Sequence, residues 1–84
     1  MKITLEIPEY SKDGLKLNWT DSFVIKVDSS AREAIVSANK EGLLSLANHL
    51  LNLAQDSVPA GTHIHFDAYN SLEDGSSELV VQKI

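Results

Sequence analysis

Between Asn39 and Gln55 the spacing of apolar residues changes from two to about 3.6, and it changes back before His63. A chain patterned in this way folds as strands, then one helix, then strands, with the helix laid on a sheet. Over Lys40 to Gln55, Leu43, Leu46, Ala47, Leu50, Leu53 and Ala54 share one face, and Ser45, Asn48, His49 and Asn52 share the opposite, polar face. Asn39 is a good N-cap, and Glu41 lies in the first turn, where the helix dipole favours a carboxylate. Gly42 is out of place so early in a helix, at about 1 kcal/mol against alanine. It points to close packing of the helix start against a strand. Ser57 to Gly61, with Pro59 inside, stops the helix.

The flanking segments alternate as half-buried strands. Ile3, Leu5 and Ile7 form the first apolar row, ended by Pro8. Leu15, Leu17 and Trp19 form the second, after an Asp13-Gly14 turn that makes it the hairpin partner of the first. Phe23, Ile25 and Val27 form the third. Residues 31–38 mix helix and strand formers and are read as a short strand, because Asn39 then begins the helix. Ile64, Phe66 and Ala68 form the next row, and residues 78–84 the last, with Leu79 and Val81 as its core positions.

Residues 1–84 therefore read as a single α+β domain: a largely antiparallel sheet of about five to six strands with one amphipathic helix packed on one face. The helix is expected to turn Leu43, Ala47, Leu50 and Ala54 onto Ile3, Leu5, Leu17, Ile25, Ile64 and Phe66. Six paired strands would make a sheet more than about 20 Å wide. One helix, about 10 Å across, does not cover that unless the sheet coils. Apolar rows such as Leu15, Leu17 and Trp19 could then be left for a partner, or for a second copy in a homodimer.

The 84-residue chain has no cysteine, which removes disulfides and thiolate metal sites and suits a reducing cytoplasm. Its apolar runs are too short to span a membrane, and its first residues alternate like a strand rather than a signal peptide. The net charge of −5 is uneven: residues 1–40 balance six basic against six acidic side chains, while residues 41–84 set Lys83 alone against six acids. That field disfavours nucleic acid and anionic membrane as partners and favours a basic protein.

Chemistry-bearing patterns are few. His63, His65 and Asp67 share one face of a strand, with Glu78 across the last hairpin as a fourth ligand, so a zinc site and a solvated polar row are both open readings. No serine stands in a nucleophile-elbow setting and no glycine loop suits a phosphate, so neither an enzyme nor a cofactor is expected. Trp19 reads either as an interface anchor or as a core residue. Asn48, His49 and Asn52 on the polar helix face, and Glu73 and Asp74 at a turn, are candidate partner contacts.

The stretch Ser37-Ala38-Asn39-Lys40-Glu41-Gly42-Leu43-Leu44-Ser45-Leu46-Ala47, with Leu50-Leu51 and Leu53-Ala54 after it, resembles the bacterial polymorphic-toxin immunity proteins of the family numbered 32. Gly61 to Asp67 and Gly75 to Val81 are similar to that family's closing hairpin, and a tryptophan before the third strand also fits. The resemblance covers roughly residues 30–84. It implies a small cytoplasmic inhibitor that binds a cognate toxin stoichiometrically, and it implies no catalytic residues. With the acidic second half, it leads to the expectation of a basic toxin domain such as a nuclease. The rival readings are a homo-oligomeric accessory domain and a small metal-binding protein built on His63, His65 and Asp67.

Overall fold

The structure, a computed structural model, describes residues 1–30 and 32–84. Its elements are β1 (Ile25–Asp28), β2 (Ile35–Ala38), α1 (Lys40–Leu53), β3 (His63–Phe66) and β4 (Leu79–Gln82). The α+β class and the single helix agree with the sequence pattern. The sheet does not. Among the described residues there are four strands in two separate antiparallel pairs, β1–β2 and β3–β4, where one sheet of five to six strands is expected. Of the short strand expected over residues 31–38, only Ile35–Ala38 is strand, as β2; residues 32–34 lie in the turn before it and residue 31 lies outside the described residues.

The missing strands are the first two. Residues 1–24 enter no ladder beyond an isolated bridge between Ser11 and Gly14. Their alternation is nevertheless real, because Leu15, Leu17 and Trp19 are half-buried while Lys16, Asn18 and Thr20 are exposed. What differs is the hydrogen-bond partner. Backbone groups removed from water must be satisfied somewhere, and here side chains of α1 and its flanks do it. Asn48 donates to the Glu6 carbonyl at 3.0 Å. Gln55 donates to the Pro8 carbonyl at 2.9 Å and accepts from the Tyr10 amide at 3.2 Å. A turn follows, with the Gly14 amide on the Ser11 carbonyl and Gly14 at φ 91°. On the way back Asn52 donates to the Lys16 carbonyl at 2.7 Å, and Ser45 Oγ accepts from the Thr20 amide at 2.9 Å. Asn39 closes the run, donating to the Ser22 carbonyl and accepting from the Val24 amide, both at 2.9 Å. The segment thus runs forward along the helix and returns, seated on it throughout.

This seat reverses the expected orientation of α1. Ser45, His49 and Asn52 are fully buried and Asn48 nearly so, while Leu43 and Leu50 are 56 % and 50 % exposed. Leu43, Ala47, Leu50 and Ala54 are therefore not the core face, and Ile3, also half exposed, is not a core residue. Leu17 packs against the core only as a half-buried residue, and Leu5 is half-buried as well. The buried centre is Ile25, Val27, Leu53, Val58, Ile64, Phe66 and Leu72. Of the residues expected to meet the helix, Ile25, Ile64 and Phe66 are in it.

The helix start matches the sequence reading. Asn39 is the N-cap, and its side chain accepts from the Gly42 amide at 2.8 Å. A Cβ on Gly42 would lie 2.5 Å from the Val24 carbonyl oxygen and 2.9 Å from Ile25 Cγ1. The absence of a side chain lets helix and β1 touch.

The two sheets are tied by the segment leading into β4. The Glu73 amide donates to the Ile25 carbonyl and the Ser77 amide to the Val27 carbonyl, each at 2.8 Å. Lys83 Nζ donates to the carbonyls of Gln55 and Val58, at 2.7 and 2.8 Å, which fixes the end of β4 to the end of the helix.

Two outcomes follow for chemical denaturation. Gly42→Ala lowers stability by about 1–3 kcal/mol through overpacking against a backbone carbonyl, although alanine is the better helix former by about 1 kcal/mol. Asn52→Ala lowers it by about 1–3 kcal/mol, because the Lys16 carbonyl loses its buried donor. A stability change below about 0.5 kcal/mol in either variant, typical of a surface site, would contradict the seating described.

Candidate functional site

With its polar face turned inward, α1 presents its apolar face outward. Leu43, Leu50 and Leu51 each leave half or more of their surface in water. The sheets add to this surface. Val36 stands opposite Val27, Leu79 opposite Phe66 and Val81 opposite Ile64, so each shares a sheet face with a core residue. Val36 is nevertheless 41 % exposed, and Leu79 and Val81 are only half-buried. Together with Leu43, Leu46, Ala47 and Leu50 they line an apolar groove of about 410 Å³. A second depression, of about 370 Å³, lies beside it and is lined by Met1, Ile3, Lys40, Leu43 and Leu44. Leu15, Leu17 and Trp19 were the sheet residues that could have been left uncovered. Those three pack against the core instead, and the open surface belongs to the helix and the β2 and β4 rows.

The residues singled out as contacts divide by location. Glu73 and Asp74 are exposed on a turn that is held in place. The Ser76 amide donates to the Glu73 carbonyl, Gly75 takes φ 81°, and the Val27 amide donates to Ser76 Oγ. Asn48, His49 and Asn52 lie inside, beneath residues 6–20, and so they do not form a solvated helix face. Trp19 is half-buried in an aromatic cluster, with its ring 4.5 Å from Phe23, 4.2 Å from His49 and 6.2 Å from Phe66 between centroids.

His63 and His65 are exposed, with ring centroids 4.9 Å apart. His65 Nδ1 lies 3.4 Å from Glu78 Oε1, so the cross-hairpin partner suggested by the sequence is in reach. The Asp67 carboxylate faces its own turn, accepting from the amides of Tyr69 and Asn70 at 2.9 and 3.1 Å. Among the described residues no three His, Asp or Glu side chains are grouped to hold a metal ion.

His49 is the unusual titratable group. It is fully buried, and neither ring nitrogen meets a hydrogen-bond partner among the described residues. Burial pushes its pKa from the ordinary 6.5 down to about 4. Below pH 6.5 the unfolded chain takes up a proton that the native imidazole refuses, so its contribution to stability is complete above that pH. It is lost as pH falls toward 4, at up to about 1.4 kcal/mol per pH unit. His49→Leu removes this component. The expected result is a shallower fall in thermal midpoint between pH 7 and pH 4.5 than in the native chain, and parallel pH profiles would contradict it.

A family model described as immunity protein 32 matches residues 33–84. No curated protein and no solved structure matches the chain significantly. The family match takes in β2, α1, β3 and β4, and with them every residue of the apolar groove and the acidic turn. It agrees in position with the helix and hairpin motifs that carried the sequence resemblance. The chain belongs to the immunity protein 32 family.

Proposed function

We propose that this protein binds a cognate toxin domain in the cytoplasm of the cell that makes it and holds that toxin inactive, stoichiometrically and without catalysis of its own. Family membership over residues 33–84 is the observation that carries the reading. An inhibitor of this kind needs an accessible, preformed surface rather than a catalytic constellation. The proposed contact is the acidic turn. Glu73 and Asp74 stand in solvent, and backbone bonds to β1 fix their position, so their field is presented without first ordering a loop. The excess of acid over base in residues 41–84 extends that field. A basic toxin domain fits it, and a nuclease is the class of toxin that must carry a basic groove to hold phosphates. No described helix is long and apolar enough to cross a membrane, which accords with a partner met in solution.

Self-association is a second reading, favoured by the uncovered apolar side of α1. It uses a different surface from the acidic turn and is compatible with toxin binding.

Steered association slows as salt rises, because the Debye length contracts from about 30 Å at 0.01 M to about 10 Å at 0.1 M. Stopped-flow mixing with the toxin encoded beside the gene is expected to give an association rate that falls over that range. Glu73→Gln with Asp74→Asn should associate several-fold more slowly at the low-salt end and show a weaker salt dependence. A native rate that is flat with salt and equal to that of the double variant rules out the acidic contact. Failure of the native chain to neutralise any adjacent toxin rules out the inhibitor reading itself.

A further inference from the structure

From Gly42 to Gln55 the chain carries no charged residue. A helix side that faces water normally carries charged and polar residues, and α1 has no charged residue beyond Lys40 and Glu41 in its first turn. Here one side is covered by residues 6–24 and the core, and the other is open. The open side has a definite pattern. Leu43, Ala47, Leu50 and Ala54 follow one another at steps of four, three and four residues, which is the spacing of a two-helix seam. Large and small residues alternate along it.

We propose that this face is a homodimer interface in which α1 packs antiparallel against α1 of a second copy, about a two-fold axis midway between Ala47 and Leu50. The proposal gives the self-association reading a surface and a register. The axis sets Leu43 against Ala54 of the second copy and Ala47 against its Leu50, so every large residue meets a small one. It also brings Leu44, half-buried at the flank, toward Leu51 of the second copy, which is half exposed. Alanine at alternate seam positions allows the helix axes to approach to about 8 Å. The groove bounded by Val36, Leu79 and Val81 then lies along the same interface and is closed by it.

Charge supports an antiparallel pair of identical chains. Lys40 is exposed in the first turn of the helix, where its own helix dipole opposes it. The other end has no basic residue in its last turn and is followed by exposed Asp56. Antiparallel packing sets Lys40 of each copy against the negative helix end of the other. Lys83, the cation nearest that end, is occupied by the Gln55 and Val58 carbonyls. An isologous interface doubles each favourable contact by symmetry.

Sedimentation velocity on the whole native chain, with no toxin present, should give twice the 9.2 kDa chain mass. Leu50→Glu should give the single mass with an unchanged circular-dichroism spectrum, because residue 50 is at the surface of one copy. Since the chain has no cysteine of its own, register can be read by oxidation. Leu43→Cys chains mixed with Ala54→Cys chains should form a disulfide-linked pair. Neither variant should link to itself, because identical positions would lie about 16 Å apart along the axis. Glu73→Gln with Asp74→Asn should remain dimeric, and Leu50→Glu should still neutralise the toxin, which separates this proposal from the toxin contact. A native chain of single mass at its highest soluble concentration overturns the dimer. Loss of toxin binding in Leu50→Glu by a native chain already monomeric assigns the face to the toxin and overturns it as well. Self-linking of Leu43→Cys overturns the antiparallel register.

Discussion

The hydrogen bonds from the uncharged polar side chains of α1 to the backbone of residues 6–24 determine how everything else is arranged. A ladder would have satisfied those backbone groups with another strand. Asn39, Ser45, Asn48, Asn52 and Gln55 satisfy them instead, and Ser45, Asn48 and Asn52 lie inside to do so. Turning that side of the helix inward turns the leucines outward. The exposed apolar face is therefore a direct result of how the N-terminal segment is held, and not a local defect in packing.

The same arrangement explains which parts of the fold were legible in the sequence. Local signals were reliable. Asn39 marked the helix start, Gly42 marked a close approach, and alternation located β1, β3 and β4 to within a residue or two. Alternation over residues 15–19 was also real, but period two reports which side chains face inward and is silent on what the backbone bonds to. The helix orientation was misread because apolar residues were assumed to be the buried ones. A signal against that assumption was available: a helix face in water usually carries lysine and glutamate, whereas Ser45, Asn48, His49, Asn52 and Gln55 are all uncharged. Amides and hydroxyls at helical spacing, with no charge among them, suit a face that bonds to a backbone.

At the candidate site the outcome was also mixed. Glu73 and Asp74 are accessible, as a contact must be, because their turn is polar and bounded by Gly75. Asn48, His49 and Asn52 lie on the buried side of the helix, where their amides and ring face residues 6–20 and the core. Trp19 is half-buried against the core, stacked on Phe23 and edge-on to His49. The open groove draws residues from β2, α1 and β4, which lie up to 45 positions apart, and no pattern along the chain announces that they share a surface.

The helix side chains bond residues 6–24 through peptide groups, which every sequence possesses. The side chains that grip them lie between Asn39 and Gln55, within the stretch matched by the family, while the segment gripped lies before it. The hydrogen-bonding side of the contact is thus written in side chains on the helix and in backbone on the segment, while Leu15, Leu17, Trp19 and Phe23 anchor the segment by packing on the core. Exposed positions such as Lys12, Lys16, Asn18 and Asp21 can change without loosening the segment from its seat. One part of the surface is thus free to drift while the part that shapes the fold stays fixed.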